Sequence, residues 1–159
     1  MDALINLLKT NARLTNAELA VMLDTDEKTV AGWIEELEEK GIIKGYTAIV
    51  NDELVDDENV TALIEVKVTP QSQSGFDAIA RTIASYEEVE ACTLMSGTYD
   101  LCVTVSGKNL RDISMFVANR LAGIDGVLST ATNFVLKRYK DNNIIIIDEE
   151  TDERGLISP

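Results

Sequence analysis

The feature of this sequence that most restricts its fold is the order of its periodic segments between residues 60 and 140. Alternation of apolar and polar residues is typical of half-buried strands, and apolar residues three and four apart are typical of amphipathic helices. The alternating stretches are Val60–Thr69, the hairpin Leu94–Val105 and Val127–Tyr139. Helical stripes separate them, namely Phe76, Ile79, Ala80 and Ile83, and then Leu110, Ile113, Val117 and Leu121. The order is therefore strand, helix, two strands, helix and strand.

Helices and strands in this order predict a ferredoxin-like βαββαβ sandwich of the α+β class, with both helices on one face of an antiparallel sheet. We assign residues 60–140 to this domain. The opposite face of the sheet also needs a cover. The last strand offers one long face, formed by Leu128, Thr130, Thr132, Phe134 and Leu136. That face suits either a partner subunit or the ordinary core.

The hairpin within this domain carries the candidate binding residues. Its second arm is expected to direct Tyr99, Leu101, Val103 and Val105 to one face, and Asp100, Cys102 and Thr104 to the other. Gly97 stands where a turn needs either a positive φ or room for a close approach to the backbone. Asp100 could meet an ammonium group, or it could be a turn residue that bonds to the nearby backbone. Both interpretations remain open.

Residues 1–50 predict three short helices followed by an extended strand at 45–50. Thr15 and Glu18 form a capping box at the start of the second helix, and Asp26 caps the third. Gly41 ends the third helix, whose apolar stripe is Val30, Ile34 and Leu37. This arrangement is typical of a helix-turn-helix domain, winged-helix-like and spanning residues 1–46, or of a generic three-helix cap or dimerisation arm. An acidic hinge is expected over residues 47–59.

The charge of the chain restricts what nucleic-acid contacts are available. The formal net charge is −14, which argues against indiscriminate binding of polyanions. Residues 1–50 contain five basic and nine acidic residues, a net charge of −4, and the third helix ends in Glu35, Glu36, Glu38 and Glu39. DNA contacts must therefore come from the first turn of that helix and from its basic surroundings. The candidates are Lys28, Thr29, Trp33, Lys44, Arg13 and Asn16.

The remaining composition argues against several classes of protein. The chain has no histidine and its cysteines are Cys92 and Cys102, so zinc, haem and nucleophilic catalytic centres are not expected, nor is any cofactor or metal. No paired carboxylates or arginine cluster converge on the hairpin, so we do not predict an enzyme. No apolar run reaches membrane-spanning length and no signal peptide is recognisable, so we expect a cytoplasmic protein with reduced thiols and no membrane partner.

The end of the chain, residues 141–159, combines a run of four isoleucines with an acidic segment and carries a net charge of −5. The isoleucines predict an added edge strand. The acidic residues predict a solvated tail.

Taken together, the segments resemble the Lrp/AsnC (feast/famine) transcriptional regulators over essentially the whole chain. The matching stretches are Arg13–Ala20 (RLTNAELA), Leu37–Tyr46 (LEEKGIIKGY), Ser96–Asp100 (SGTYD) and Asp125–Thr130 (DGVLST). The resemblance implies a regulator that binds double-stranded DNA through its N-terminal domain and an amino acid through its C-terminal domain. It also implies a homodimer that assembles further, often into an octamer, with the effector at contacts between dimers.

In that family the effector site includes the glycine turn, which corresponds here to Ser96, Gly97, Thr98, Tyr99 and Asp100. The third helix departs from the family pattern, because Trp33, Glu35 and Glu36 stand where basic residues are usual. This departure keeps an alternative open: an amino-acid-sensing or partner-binding module with weak or lost DNA binding.

Overall fold

The computed structural model of the chain describes residues 1–55, 59–69 and 75–146. Part of the acidic hinge, the loop before the first helix of the sandwich, and the acidic tail lie outside the described residues. The chain divides into two compact units, Met1–Ile49 and a second that begins at Val50. The boundary lies between Ile49 and Val50, and the hinge over residues 47–59 stays a prediction.

Unit 1 is built from the helices α1 (Asp2–Thr10), α2 (Asn16–Met22) and α3 (Glu27–Glu39). The predicted capping box of α2 is confirmed, since the amide of Glu18 donates to Thr15 Oγ1 over 3.2 Å and the amide of Thr15 donates to Glu18 Oε2 over 2.8 Å. The cap of α3 is confirmed by the Thr29 amide, which donates to Asp26 Oδ1 over 2.9 Å. Gly41 ends this helix with a φ of +63°, a conformation that suits glycine.

The core of unit 1 comes from all three helices, through Leu4, Leu19, Ala20, Val30 and Leu37. The strand predicted at residues 45–50 is wrong, because this segment has no regular secondary structure. A strand needs a neighbour to complete its hydrogen-bond ladder, and the regular elements of unit 1 are all helical.

Unit 2 contains the predicted sandwich. Its main sheet has the antiparallel order β2 (Val89–Leu94), β3 (Leu101–Gly107), β1 (Val60–Val68) and β4 (Val127–Phe134). The helices α4 (Asp77–Ala84) and α5 (Leu110–Phe116) connect the strands, and a π-helical turn, Val117–Leu121, continues α5. The order of elements and of strands confirms the ferredoxin-like α+β fold.

The alternation of the central strands decides which face of the sheet is buried. Ala62, Ile64, Val66 and Val68 of β1 lie in the core with Leu101, Val103 and Val105 of β3. Ile79 and Ile83 of α4, and Ile113 and Phe116 of α5, cover them. The opposite face, which we call the open face, carries Leu63 of β1, whose strand neighbours are Thr104 and Asn133.

Of the two alternatives for the long face of the last strand, ordinary core is correct for its middle. Thr130 and Thr132 pair with Val66 and Ile64, so they share the core face of β1. Leu128 lies at a register shift and is 69% exposed, while Leu136 lies beyond the end of β4 and is 96% exposed. A bulge and an early end of the strand therefore interrupt the continuous face that the sequence pattern suggests.

Two further local predictions are corrected. Leu110 does not point inward but is 54% exposed, and Phe116 is buried instead, just before the helix changes to a π turn. The isoleucine run does not add an edge to the main sheet. Ile144–Ile145 (β6) pairs with Lys140–Asp141 (β5) in a separate hairpin whose turn, Asn142–Asn143, has φ values of 40° and 69°.

Candidate functional site

The turn between α2 and α3 has the short, tightly bonded form of a helix-turn-helix. The amide of Thr25 donates to the carbonyl of Ala20 over 2.9 Å, which folds the chain back at the end of α2. Asp24 supplies the left-handed conformation of the turn with a φ of 52°. Aspartate tolerates this conformation because its short polar side chain can bond locally. The turn fixes the direction in which α3 leaves α2.

The exposed face of α3 presents small residues at its centre. Lys28 is exposed near the start of the helix, Ala31 and Gly32 follow one turn later, and Glu35 comes next. A Cβ on Gly32 would meet nothing within 4 Å, so no packing in unit 1 requires a glycine there. Glycine in a helix interior costs about 0.5–1 kcal/mol relative to alanine. Ala31 and Gly32 therefore leave a shallow surface on which another molecule can approach the helix backbone.

Ala31 and Gly32 were not among the predicted contacts, although helical spacing from Lys28 places them on the same face of α3. The other predicted DNA contacts differ in their surroundings. Thr29 Oγ1 donates to Asp26 Oδ2 over 2.6 Å, and Trp33 packs against the core of unit 1. A Cβ on Gly41 would lie 2.5 Å from Lys44 Nζ, so the Lys44 side chain folds over the end of α3.

Arg13 is exposed in the turn before α2, and Asn16 is exposed at the first residue of that helix. Of the predicted DNA contacts, Lys28, Arg13, Asn16 and Lys44 therefore reach solvent, while Thr29 and Trp33 also have structural roles.

Two of the four glutamates at the end of α3 interact with neighbouring side chains. Glu36 forms an ion pair with Lys40, one turn later on the same helix. Tyr46 donates its hydroxyl proton to Glu38 Oε1 over 2.8 Å, and the pKa of Tyr46 is raised, first by partial burial and then by this carboxylate. Glu35 and Glu39 remain exposed.

The second candidate site is the Ser96–Asp100 turn between β2 and β3. The amide of Met95 donates to the carbonyl of Asp100 over 2.8 Å and closes the turn. Asp100 also ties the turn to β1, because its amide donates to the carbonyl of Val66 over 3.1 Å and its Oδ2 accepts from the amide of Val68 over 2.9 Å. Val66 and Val68 contribute backbone atoms alone to these bonds, so their role left no signal in the sequence.

The exposed part of the turn is Ser96, Gly97 and Thr98. Gly97 does not have a positive φ, so that explanation for the glycine is wrong. A Cβ at Gly97 would meet nothing within 4 Å, and the space beside its backbone is therefore open. The remaining explanation for a glycine at position 97 is that it leaves room for another molecule to approach the backbone closely.

Tyr99 does not follow the alternation predicted for the hairpin. Its hydroxyl lies beside Cys102 and near Glu65, both of which belong to the open face rather than the core. Partial burial and then the neighbouring Cys102 raise the pKa of Tyr99. The reason is that β3 begins only at Leu101, so Tyr99 belongs to the turn.

Within residues 1–55, 59–69 and 75–146 no cluster of acidic or cysteine residues could hold a metal ion. Cys92 and Cys102 are free thiols, and burial raises the pKa of Cys92. Among the described helices, none is long and apolar enough to cross a membrane.

A helix-turn-helix unit followed by a ferredoxin-like sandwich with an exposed glycine turn defines a class of DNA-binding transcriptional regulators that carry a ligand-binding domain. Residues 3–44 match the family model of winged helix-turn-helix DNA-binding domains, and residues 61–145 match that of the Lrp/AsnC ligand-binding domain. The chain belongs to the Lrp/AsnC family of transcriptional regulators. Its relatives are regulators rather than enzymes, as predicted.

The similarity to individual relatives extends over nearly the whole chain. The uncharacterised regulator YugG of Bacillus subtilis is 38% identical, covering 98% of this chain and 95% of the relative. The leucine-responsive regulatory protein of Haemophilus influenzae is 24% identical, covering 91% and 86%.

Among solved structures, a Neisseria meningitidis regulator in complex with L-methionine is 26% identical, with a TM-score of 0.67 and coverage of 87% and 88%. Escherichia coli AsnC shares the fold at 24% identity, with a TM-score of 0.61 and coverage of 85% and 89%.

Proposed function

We propose that the chain is an amino-acid-responsive regulator whose effector binds at the Ser96–Asp100 turn, where subunits of unit 2 meet. The observation that carries this proposal is the open space at Gly97, which gives a ligand access to the backbone amides of the turn. Backbone amides at a turn can hold a carboxylate. A related regulator was solved with L-methionine, which supports an amino acid as the class of effector.

Asp100 has two tasks in this proposal. Its Oδ2 orients the turn by accepting from the amide of Val68, while Oδ1 makes no hydrogen bond to a described residue. That second oxygen can accept from the ammonium group of an amino acid, and charge-assisted bonds of this kind are about twice as strong as neutral ones. Ser96, Thr98 and Tyr99 complete the proposed site.

DNA binding is proposed for the first turn of α3 and its surroundings. Lys28 supplies a phosphate contact, the small surface of Ala31 and Gly32 allows the helix to come close, and Lys44 supplies charge at the far end. Arg13, Asn16, Thr29 and Trp33 complete the proposed set. The matches over both domains favour this function over a sensing module that has lost DNA binding.

Assembly and location complete the proposal. The open face of the sheet would be covered by a second subunit, giving a homodimer that assembles further, to an octamer if it follows the family resemblance. A regulator of transcription acts in the cytoplasm of a bacterial or archaeal cell, and we propose that location.

The experiment is calorimetry of the full chain against each of the twenty amino acids, for the wild type and for Gly97→Val. The valine fills the open space beside the turn without a clash or a strained φ, so the variant should keep its melting temperature and lose the effector. Gly45→Val is the matched control, because Gly45 also has nothing within 4 Å and a φ that is not positive. The effector assignment fails if no amino acid binds at millimolar concentration, or if Gly97→Val binds as tightly as the control.

A further inference from the structure

The open face of the sheet in unit 2 is made mostly of short, uncharged side chains. β1 contributes Thr61, Leu63, Glu65 and Lys67, which alternate with its buried residues. The strand pairing sets beside them Ala91, Thr93, Cys102, Thr104, Ser106, Ser129, Ala131 and Asn133. Glu65 and Lys67 are therefore the only charged residues that the pairing of the described strands places on this face.

Glu65 stands near the middle of the open face, on a strand with a neighbour on either side. Its neighbours are Cys102 on β3 and Ala131 on β4, whose side chains are both shorter. Its Oε1 lies 3.5 Å from Asn133 Nδ2, at the outer limit of a hydrogen bond. Glu65 forms no ion pair with any described residue, so its charge is not neutralised within the described part of the chain.

Lys67 lies two residues further along β1 on the same face, about 6.6 Å away along the strand. It is exposed, and its strand neighbour is Ser129. No ion pair joins it to Glu65 or to another residue that the structure describes. The open face thus presents one negative and one positive group side by side, each without a partner of opposite charge.

The total charge of the protein makes this local arrangement important for association. Each copy carries a net charge of −14, so two copies repel one another over a distance. Complementary charges at the contact can fix the register of two surfaces, whereas like charges placed together cost several kcal/mol. A second copy can therefore dock on the open face only in a register that keeps Glu65 away from its own equivalent.

Two-fold symmetry leaves two simple ways to align two copies of β1 across such a contact. Sheets that pack face to face keep their strand directions within about 30° of each other, parallel or antiparallel. With the two-fold axis along β1, each of Glu65 and Lys67 faces its own equivalent, which places like charges together. With the axis across β1 between residues 65 and 67, Glu65 of one subunit faces Lys67 of the other, and symmetry forms the pair twice.

We propose that the open faces of two subunits meet with their β1 strands antiparallel, and that two ion pairs between Glu65 and Lys67 of opposite subunits set the register. This inference rests on the proposed homodimer and adds the residues that align it. The short side chains around the pair let the two sheets come close enough for the charged groups to meet. The pair selects a second copy of this chain because the two charges are complementary to themselves under the two-fold axis.

The test measures dimerisation of the full chain by sedimentation velocity over a dilution series, at one low ionic strength because salt screens charges. Glu65→Lys and Lys67→Glu each replace both attractive pairs with repulsive ones, so each should weaken dimerisation at least about tenfold. Glu65→Lys also changes the net charge from −14 to −12, which by itself would favour association. The ion pair and the total charge therefore predict opposite effects of this variant.

Glu87→Lys and Lys108→Glu are the matched controls. They make the same two changes of net charge at exposed positions that the strand pairing does not place on the open face. With the axis along β1, Glu65→Lys and Lys67→Glu would leave like charges facing each other as before. They would then behave as the controls do.

Two combinations should restore association. The double variant, Glu65→Lys with Lys67→Glu, exchanges the two charges and should dimerise as tightly as the wild type. A mixture of the two single variants joins an open face with two positive charges to one with two negative charges. Native mass spectrometry, with nitrogen-15 in one of the variants, should therefore show mixed dimers in excess of random pairing.

The pairing is overturned if the single variants associate as their controls do, or if neither combination restores association. Should Glu65→Lys not fold, as judged by circular dichroism, the comparison of Lys67→Glu with Lys108→Glu decides between the two outcomes. A wild type that dimerises together with unaffected single variants would refute the pairing and leave the homodimer standing. A wild type that stays monomeric at every concentration would refute the proposed homodimer and the pairing with it.

Discussion

At the scale of single residues, Asp100 shows how one side chain can connect a binding turn to its scaffold. Val68 lies beyond the last pair of the ladder between β1 and β3, which joins Val66 to Leu101, and its amide donates to Asp100 Oδ2 over 2.9 Å. The sequence allowed two interpretations of Asp100, an ammonium partner or a turn residue. The structure assigns it a bond to backbone that is 32 residues away in sequence. Such a contact could not be read from local pattern, since it joins the end of β1 to the residue before β3, and the two are distant in sequence.

The first prediction concerns this bond. Asp100→Ala removes the acceptor of the Val68 amide and should lower the free energy of unfolding of unit 2 by about 1 kcal/mol. Asp100→Asn keeps an oxygen at the same place and should cost less. Thermal unfolding followed by circular dichroism measures both. Ser96→Ala is the control in the same turn, and an equal loss for all three variants would contradict the role of the Asp100–Val68 bond.

At the scale of elements, the sequence predicted features that depend on neighbouring residues and missed those that depend on packing. Both N-caps of unit 1 and the glycine end of α3 were correct, because a cap is a contact over three or four residues. The end of β4 and the π turn after α5 were missed. Both features depend on how β1 and the helices pack together in three dimensions. The periodicity of a single segment carries no information about that packing.

The caps make unit 1 sensitive to acid. Bonding from the Thr15 amide, and then from its hydroxyl, lowers the pKa of Glu18 from its ordinary value of 4.5. Bonding from the Thr29 hydroxyl, and then from its amide, lowers the pKa of Asp26 from 3.8. A group whose pKa is lower in the folded state contributes stability above its unfolded value and loses it as the pH falls through its folded value. The unfolding free energy should therefore fall as the pH decreases below 4.5.

Urea unfolding followed by the fluorescence of Trp33 measures this effect in unit 1, because Trp33 is the single tryptophan of the chain. Glu18→Gln should flatten the acid dependence. Glu39→Gln removes an exposed carboxylate that caps no helix, and it should leave the dependence unchanged. If the unfolding free energies of Glu18→Gln and the wild type fall in parallel as the pH decreases, the Glu18 cap is not the cause of the acid sensitivity.

At the scale of the whole molecule, the sheet of unit 2 has one face covered by α4 and α5 and one open face. Sequence alternation left the long face of the last strand open between a subunit interface and the core, and its middle belongs to the core. Thr132 faces the core, so a charge there would disturb folding rather than association alone. The residue that tests assembly is Leu63, which is 41% exposed among Thr104 and Asn133 on the open face.

Leu63→Asp should reduce the molar mass of the full chain in light scattering at fixed concentration, because an unpaired charge buried between subunits is strongly unfavourable. Leu136→Asp introduces the same charge at a position that is 96% exposed and outside the sheet, and should leave the mass unchanged. An unaltered mass for Leu63→Asp, with its fold intact, would move the subunit contact away from the open face.

The last prediction concerns DNA binding and is based on the net charge of −14. Unit 1 offers few cations to phosphates, so the wild type should bind random duplex weakly and with a shallow dependence on salt. Glu35 is exposed next to the small surface of Ala31 and Gly32, where a phosphate would approach. Glu35→Lys should therefore tighten binding and steepen the slope of log affinity against log salt by about one.

Glu87→Lys in unit 2 is the control that distinguishes a local contact from an effect of total charge. Either variant changes the net charge from −14 to −12. Fluorescence anisotropy of a labelled random duplex, at several salt concentrations, measures both. If the contact is local, only Glu35→Lys changes the slope. If the two variants behave alike, the overall field of the protein governs DNA binding, and the proposed docking of α3 is wrong.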